Sequence, residues 1–85
     1  MQNIKSQILK HVGMQIKTFR RNLGYSRAAV AAYLGMTPRT LASYERGERE
    51  ISVETVIKIA EFYGTTFNSL TDYQNIMNKI RMEGI

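Results

Sequence analysis

The segment that most constrains the fold spans residues 26–47 and reads SRAAVAAYLGMTPRTLASYERG. It predicts two short helices in succession. Ser26 can cap the first and Thr37 the second, because their hydroxyls accept hydrogen bonds from the N–H groups of a first helical turn. Pro38 then occupies the first position of the second helix, where a missing N–H costs nothing. Only residues 35–37 connect the two helices, which makes the turn very tight.

A three-residue turn makes demands that this segment meets. Gly35 supplies the positive φ that ends the first helix without a Cβ clash. Ala31 is small at the point where the second helix must cross closely over the first. Apolar side chains occupy the five positions that would hold both helices on one core, namely Val30, Leu34, Met36, Leu41 and Tyr44. The segment therefore predicts a helix-turn-helix.

The residues before this segment predict an amphipathic helix. Apolar side chains recur there at steps of three and four, at Ile4, Ile8, Val12, Ile16, Phe19 and Leu23. Gly13 lies within this stripe and weakens a helix by about 1 kcal/mol relative to Ala. We therefore expect a point of weakness, and a possible break, at Gly13.

The residues after the segment predict further helices. Ser52 can cap a helix over residues 53–63, whose inward stripe is expected to be Val53, Val56, Ile57, Ala60 and Tyr63. A short turn follows around Phe67 and Leu70. Asp72 is expected to cap a last helix, which carries Tyr73, Ile76, Met77 and Ile80 on one side.

These patterns predict an all-α fold, a compact bundle of five to six short helices that includes the helix-turn-helix. No segment has the alternation of a strand. A length of 85 residues suits a single domain, residues 1–85. We expect a core over about residues 12–70, an N-terminal helical extension over residues 1–11 and a C-terminal helix over about residues 72–82.

The charges are unevenly distributed along the chain. The net charge is +5, but residues 1–44 contain seven basic residues and no acid, whereas residues 45–85 contain five basic residues and seven acids. The two parts therefore carry about +7 and −2. A basic half suits a polyanionic partner, because each neutralised phosphate releases condensed counterions. A solvated basic surface explains the charge equally well.

Composition excludes several classes of protein. The chain has no cysteine and one histidine, His11, so we expect no disulfide framework, no metal site and no cofactor. No apolar run approaches the roughly 20 residues needed to cross a bilayer. The first residues lack the apolar region of a secretory signal. We expect a soluble protein of the cytoplasm.

The same residues resemble the Cro/CI/Xre-type helix-turn-helix regulators. The resemblance covers about residues 12–70: VGMQIKTFRRNLGYS, then the segment above with its ending YERGERE, then SVETVIKIAEFYGTTFNSL. It implies a lambda-repressor-like fold and a prokaryotic or phage regulator of transcription that binds double-stranded DNA in the nucleoid. We expect a repressor that binds an inverted-repeat operator as a homodimer, although activation would leave the same sequence pattern.

In such a fold the second helix of the motif enters the major groove with its amino-terminal end. The residues expected to face the bases are Thr37, Pro38, Arg39, Ala42 and Ser43. Arg39 is the first candidate for direct reading, because a bidentate Arg contact to guanine is the commonest specific contact; a phosphate contact alone is the alternative. Ala42 can meet a thymine methyl group and Ser43 a base edge. Pro38 replaces a polar side chain that many relatives carry, so it offers only van der Waals contact.

Contacts to phosphate are expected from Arg27, Thr40, Arg46 and Arg49, with Tyr33 a weaker candidate. Arg27 opens the first helix of the motif, where the family often has a phosphate-binding Gln. An Arg there adds charge and therefore salt dependence. For Arg49, a solvated loop charge is an equally good interpretation.

The resemblance also implies a structural ion pair between Glu45 and Arg20, because relatives pair the equivalent acid with an Arg of the first helix. We expect this pair to fix the first helix against the second helix of the motif. Loss of one partner would leave an uncompensated charge, which is costly if buried.

Two other classes of function remain as alternatives. An enzyme is disfavoured, because the chain has no second histidine and no cysteine to act with His11. The acids Glu45, Glu48 and Glu50 lie in one short stretch between helices, where acids are usually solvated. An antitoxin, which binds a protein partner and represses its own operon, is compatible with the fold. The partner would then be a toxin or an anti-repressor.

The two ends of the chain bear on these alternatives, because they are more apolar than simple tails require. The apolar residues concerned are Ile4, Ile8, Tyr73, Ile76, Met77 and Ile80. They can complete the core of this chain, form a homodimer interface or receive another protein, and the sequence leaves all three open.

Overall fold

The computed structural model describes residues 3–83. In this part the chain forms six helices and no strand, which confirms the all-α prediction. The helices are α1 (Ile4–Leu23), α2 (Arg27–Leu34), α3 (Pro38–Glu45), α4 (Val53–Tyr63), α5 (Phe67–Thr71) and α6 (Tyr73–Glu83).

Local capping sets the boundaries of α2, α3 and α4 where the sequence predicts them. The hydroxyls of Ser26, Thr37 and Ser52 each accept a hydrogen bond from the backbone N–H three residues later, at 3.1 Å. Gly35 ends α2 with φ 71° and ψ 31°, a left-handed conformation that costs glycine little. The helix-turn-helix is therefore formed by α2, the turn at Gly35 and α3.

The core lies where α1 packs against the motif and the later helices. It consists of Val12, Ile16, Val30, Ala31, Leu41, Val56, Ile59, Ala60, Tyr63 and Leu70. Ile16, Val30, Leu41 and Leu70 have no exposed surface. Burial of each large aliphatic side chain contributes about 1.5–3 kcal/mol, so this cluster holds α3 firmly on α1 and α2.

The expected break at Gly13 is wrong, because α1 is continuous from Ile4 to Leu23. Gly13 is buried against the end of α3, and an added Cβ would lie 2.7 Å from the Glu45 carbonyl oxygen and closer still to that of Tyr44. The glycine is therefore required by the close approach of two backbones, and the packing around it outweighs its low helix propensity.

The expected inward stripe of α4 is partly wrong. Val53 is 63% exposed and Ile57 is 45% exposed, whereas Ile59 is fully buried. Apolar residues occur on several sides of α4, so their period does not identify the inner face. The contacts of α4 with α1, α2 and α5 determine which of its faces is buried.

Asp72 does not cap α6 as expected. It has φ 54° and ψ 45°, and it ends α5. Its carboxylate accepts a hydrogen bond from the side-chain amide of Asn75 at 3.1 Å. Asp72 alone separates α5 from α6, so the break between the two helices occurs at one residue. Asp adopts the left-handed region more readily than most residues.

The apolar residues at the two ends have different surroundings. Ile76 is 7% exposed within this single chain, and Ile8 packs partly buried against the core. Ile4 and Tyr73 are 48% and 47% exposed, while Met77 and Ile80 are half-buried. Ile8 and Ile76 thus contribute to the packing of this chain, and Ile4 and Tyr73 remain accessible to another molecule.

Candidate nucleic-acid interface

The amino-terminal end of α3 projects into solvent. Thr37, Pro38 and Arg39 are exposed, whereas Leu41 on the opposite side is fully buried in the core. Ala42 and Ser43 are half-buried. The residues predicted to read bases therefore lie on one helix, but only its first turn is fully accessible.

The hydroxyl groups of this helix are occupied by hydrogen bonds within it. Thr37 Oγ1 accepts from the Thr40 backbone N–H at 3.1 Å and donates to Thr40 Oγ1 at 3.0 Å. Ser43 Oγ donates to the Thr40 carbonyl oxygen at 2.6 Å. Because these groups already have partners, they have less capacity for bases or phosphates than the sequence suggested.

Arg39 is the charged side chain at this end of α3. It is exposed and forms no ion pair with the described side chains of residues 3–82. Its five N–H donors are therefore available for a ligand.

Two arginines converge on the single carboxylate at the carboxyl end of α3. Arg20 donates to Glu45 through Nε at 2.7 Å and through Nη2 at 3.3 Å. Arg27 donates through Nε to Glu45 Oε1 at 2.8 Å. The Glu45 side chain is 1% exposed, that of Arg20 is 9% exposed and that of Arg27 is 41% exposed.

The Arg20–Glu45 pair that the resemblance implies is thus present, and Arg20 also donates to the Tyr25 carbonyl oxygen at 3.0 Å. The contact of Arg27 with Glu45 differs from the prediction that Arg27 is free for phosphate. Arg27 precedes Glu45 by 18 residues, and no local pattern relates them. The only available signal was that Glu45 is the first acid in the chain.

The loop after α3 holds its charges at the surface. Arg46 donates through Nε to Glu48 at 3.1 Å, with both side chains more than half exposed. Arg49 is exposed and has no ion-pair partner in the described part of the chain. Exposed pairs of this kind are weak, so Arg46 can exchange Glu48 for another anion at little cost.

The surface from α1 to α3 presents no exposed carboxylate. Residues 3–47 contain one acid, Glu45, and its side chain is buried between Arg20 and Arg27. Lys5 and Arg46 pair with Glu50 and Glu48 of the following loop. The basic residues of this stretch still outnumber these acids, which gives a positive potential around the motif.

Other classes of site have no support in the described residues. Among the described side chains of residues 3–82, no group of three or more His, Asp or Glu is placed to hold a metal ion. In the same part of the chain, no helix has the length and apolar character needed to span a bilayer.

Sequence comparison decides the family. A family model described as helix-turn-helix matches residues 16–70. The chain belongs to this helix-turn-helix family. A protein of Saccharolobus solfataricus, named as an HTH-type transcriptional regulatory protein, is 30% identical to this helix-turn-helix chain over 84 residues. The alignment covers 96% of the chain and 25% of that relative, so the chain spans about a quarter of its length.

Solved structures confirm the helix-turn-helix architecture. The regulator ClgR of Corynebacterium glutamicum matches with a TM-score of 0.75 over 91% of this chain and 84% of that one, but at 19% identity it shows the fold alone. The DNA-binding domain of BldD matches with a TM-score of 0.68 at 28% identity, over 76% of this chain and 94% of that one.

A similar unit also occurs within an enzyme. The hydroxypropylphosphonic acid epoxidase of S. wedmorenis matches with a TM-score of 0.68 at 32% identity. The match covers 73% of this helix-turn-helix chain and 33% of the epoxidase. The similarity therefore concerns one third of that protein.

Proposed function

We propose that this chain is a sequence-specific double-stranded DNA-binding unit of a transcriptional regulator and has no enzymatic activity. The observation that carries the proposal is the exposed first turn of α3, where Arg39 forms no ion pair in the described part of the chain and residues 3–47 contribute no exposed carboxylate. A helix presented in this way fits the major groove by its amino-terminal end. The family membership and the similarity to the BldD DNA-binding domain support the same function.

In this proposal Arg39 reads a guanine through a bidentate contact, and Ala42 contacts a thymine methyl group. Arg27 and the exposed Arg46 and Arg49 bind phosphates on either side of the reading helix. Thr37 and Thr40 contribute less, because each already hydrogen bonds to the other.

The finer proposal is a repressor that binds an inverted-repeat operator as a homodimer. One reading helix contacts few base pairs, and a second half-site about doubles the contact free energy. The exposed Tyr73 and Ile4 are available for the interface between two copies. The names of the relatives compared above give no support to the antitoxin alternative.

The decisive experiment is a selection of bound sequences from random duplex DNA at two salt concentrations. Enrichment of an inverted repeat, with half-site centres about 34 Å apart, is the expected result. If no motif emerges and binding is lost by about 200 mM salt, the basic surface is non-specific and the proposal is wrong.

Arg39→Ala tests the proposed reading residue. We expect this variant to lose the preference at one base position in each half-site, with a cost of about 1–3 kcal/mol for the preferred base. Arg81→Ala removes the same charge from α6 and serves as the matched control, which should keep the preference. Competition binding with single-base variants of the selected site measures the base preference of both variants. An unchanged preference in Arg39→Ala would contradict the base-reading role of Arg39.

A further inference from the structure

The contact between Arg27 and Glu45 leads beyond the general assignment of phosphate contacts. We infer that Glu45 is a positioning residue: its carboxylate holds the Arg27 guanidinium by the Nε side, so that the two terminal amino groups face outward as a preformed fork for one DNA phosphate. This inference rests on the proposed function, and it assigns a role in ligand binding to a residue that is itself buried.

The hydrogen bonds define which part of the guanidinium is free. Arg27 donates through Nε to Glu45 Oε1 at 2.8 Å, and its terminal nitrogens have no hydrogen-bond partner among the described side chains and backbone of residues 3–82. The Arg27 side chain is 41% exposed, although the carboxylate that it contacts is 1% exposed. One side of the guanidinium is therefore anchored in the protein, and the other lies at the surface.

The charges of the cluster are unbalanced in a way that favours an anion. Two arginines share one carboxylate, which leaves an excess of one positive charge. Arg20 is 9% exposed, and its Nη1 group donates to the Tyr25 carbonyl oxygen. The uncompensated charge is therefore accessible at Arg27, which is the first residue of α2.

Anchoring changes what Arg27 contributes to binding. A free arginine loses rotamer freedom when it is immobilised on a ligand, whereas a guanidinium held by a buried carboxylate has already lost much of it. Planar bidentate donation also suits phosphate oxygens. Lysine cannot replace this arrangement, because its single ammonium group cannot bind Glu45 on one side and present a fork on the other.

Glu45→Gln distinguishes a positioning role from a simple charge effect, because the two predict opposite changes in DNA affinity. Removal of a negative charge next to DNA should strengthen binding if charge alone matters. If Glu45 positions Arg27, binding weakens and one phosphate contact is lost. Glu48→Gln is the matched control: Glu48 is exposed in the following loop, and we expect its neutralisation to strengthen binding.

The measurement is equilibrium binding of the full chain to a mixed-sequence duplex of about 20 base pairs, at 50–200 mM salt. One phosphate contact contributes about 0.9 to the slope of log K against log salt. The wild type should therefore lose about 3.5-fold more affinity over this range than Arg27→Gln. Glu45→Gln should approach the slope of Arg27→Gln. Tighter binding by both Glu45→Gln and Glu48→Gln would overturn the inference.

Because Glu45→Gln leaves Arg20 without its buried partner, circular dichroism must show that the variant folds. If it does not, Arg27→Lys decides the question. This variant keeps the charge but loses the fork, so its affinity and slope should fall toward those of Arg27→Gln. Affinity and slope equal to those of the wild type would overturn the positioning role.

The two proposals fail in distinguishable ways. If the wild type itself does not bind the duplex, the proposed function is wrong. If the wild type binds and Arg27→Lys binds equally well, DNA binding stands and the role of Glu45 is purely structural.

Discussion

Tyr63 lies in the core, close enough to the buried Arg20–Glu45 pair for its charges to act on the phenol. Its side chain is nearly buried, and its hydroxyl donates to the Ile16 carbonyl oxygen at 3.2 Å. Burial raises the pKa of Tyr63 well above its ordinary value near 10, the negative charge of Glu45 raises it further, and Arg20 opposes the shift. A raised folded-state pKa favours the protonated phenol in the folded protein. This contribution to stability is therefore complete below about pH 10 and declines as the pH rises above it.

Tyr63→Phe should make the protein less sensitive to alkali. At neutral pH we expect the free energy of unfolding to fall by about 1 kcal/mol, because one buried hydrogen bond is lost. Between about pH 8 and pH 11 the variant should lose less stability than the wild type. Urea unfolding at both pH values measures this. The exposed Tyr33 supplies the control, since Tyr33→Phe should retain the alkaline loss; equal losses in all three proteins would contradict the prediction.

Single-residue roles could be predicted from the sequence where they are local. Ser26, Thr37 and Ser52 cap their helices as expected, because an N-cap depends on residues three positions away. The partner of Arg27 could not be predicted, because it depends on how α2 and α3 pack. The internal hydrogen bond of Ser43 was also missed, since a serine inside a helix can donate to its own backbone or point outward.

The packing of α1 on α3 depends on one position without a side chain. The α1 backbone at Gly13 contacts the carbonyl groups of Tyr44 and Glu45, so the two helices meet more closely than side chains would permit. An interface of this kind cannot be relaxed by a change of rotamer, because both partners are backbone.

Gly13→Ala should therefore be strongly destabilising. We expect the free energy of unfolding to fall by about 3 kcal/mol or more, because α3 must move to admit the methyl group. Gly24→Ala is the control: an added Cβ there meets nothing within 4 Å, so only the left-handed backbone is penalised, by about 1–2 kcal/mol. Chemical denaturation compares the two. A cost at Gly13 no larger than that at Gly24 would show that the helices separate easily.

At the scale of the helices, the type and order of the elements could be predicted from the sequence. The buried face of each helix was predicted less well. The stripe of α1 includes the buried Val12 and Ile16, because it has one apolar side. In α4, Ile57 and Ile59 are both apolar, but Ile59 is fully buried whereas Ile57 is 45% exposed. The period of 3.6 residues is uninformative when a helix is apolar on more than one side.

For the whole molecule, the question left open by the sequence is what covers its exposed apolar residues. Ile76 is buried in the chain itself, but Tyr73 is 47% exposed at the start of the same helix. The proposed homodimer requires that a surface of this kind be covered by a second copy, and this assembly stays a prediction.

Tyr73→Glu tests it. An exposed residue tolerates the change within about 0.5 kcal/mol of unfolding free energy if the chain is monomeric. If Tyr73 lies in a dimer interface, we expect a lower sedimentation coefficient and a weaker preference for an inverted repeat over a single half-site. Gln74→Glu, at the exposed neighbouring position, is the control and should leave both unchanged. An unaltered dimer in Tyr73→Glu would place the interface elsewhere.

The backbone contact at Gly13 also makes the position of α3 independent of the side chains that it presents to solvent. Because main-chain atoms seat this helix, replacement of its outward side chains leaves its orientation intact. Thr37 must remain as the cap, but the exposed position 39 can be randomised without repacking the core. A library built on this scaffold would compare side-chain chemistries at constant geometry, which makes the chain a suitable starting point for engineering new target preferences.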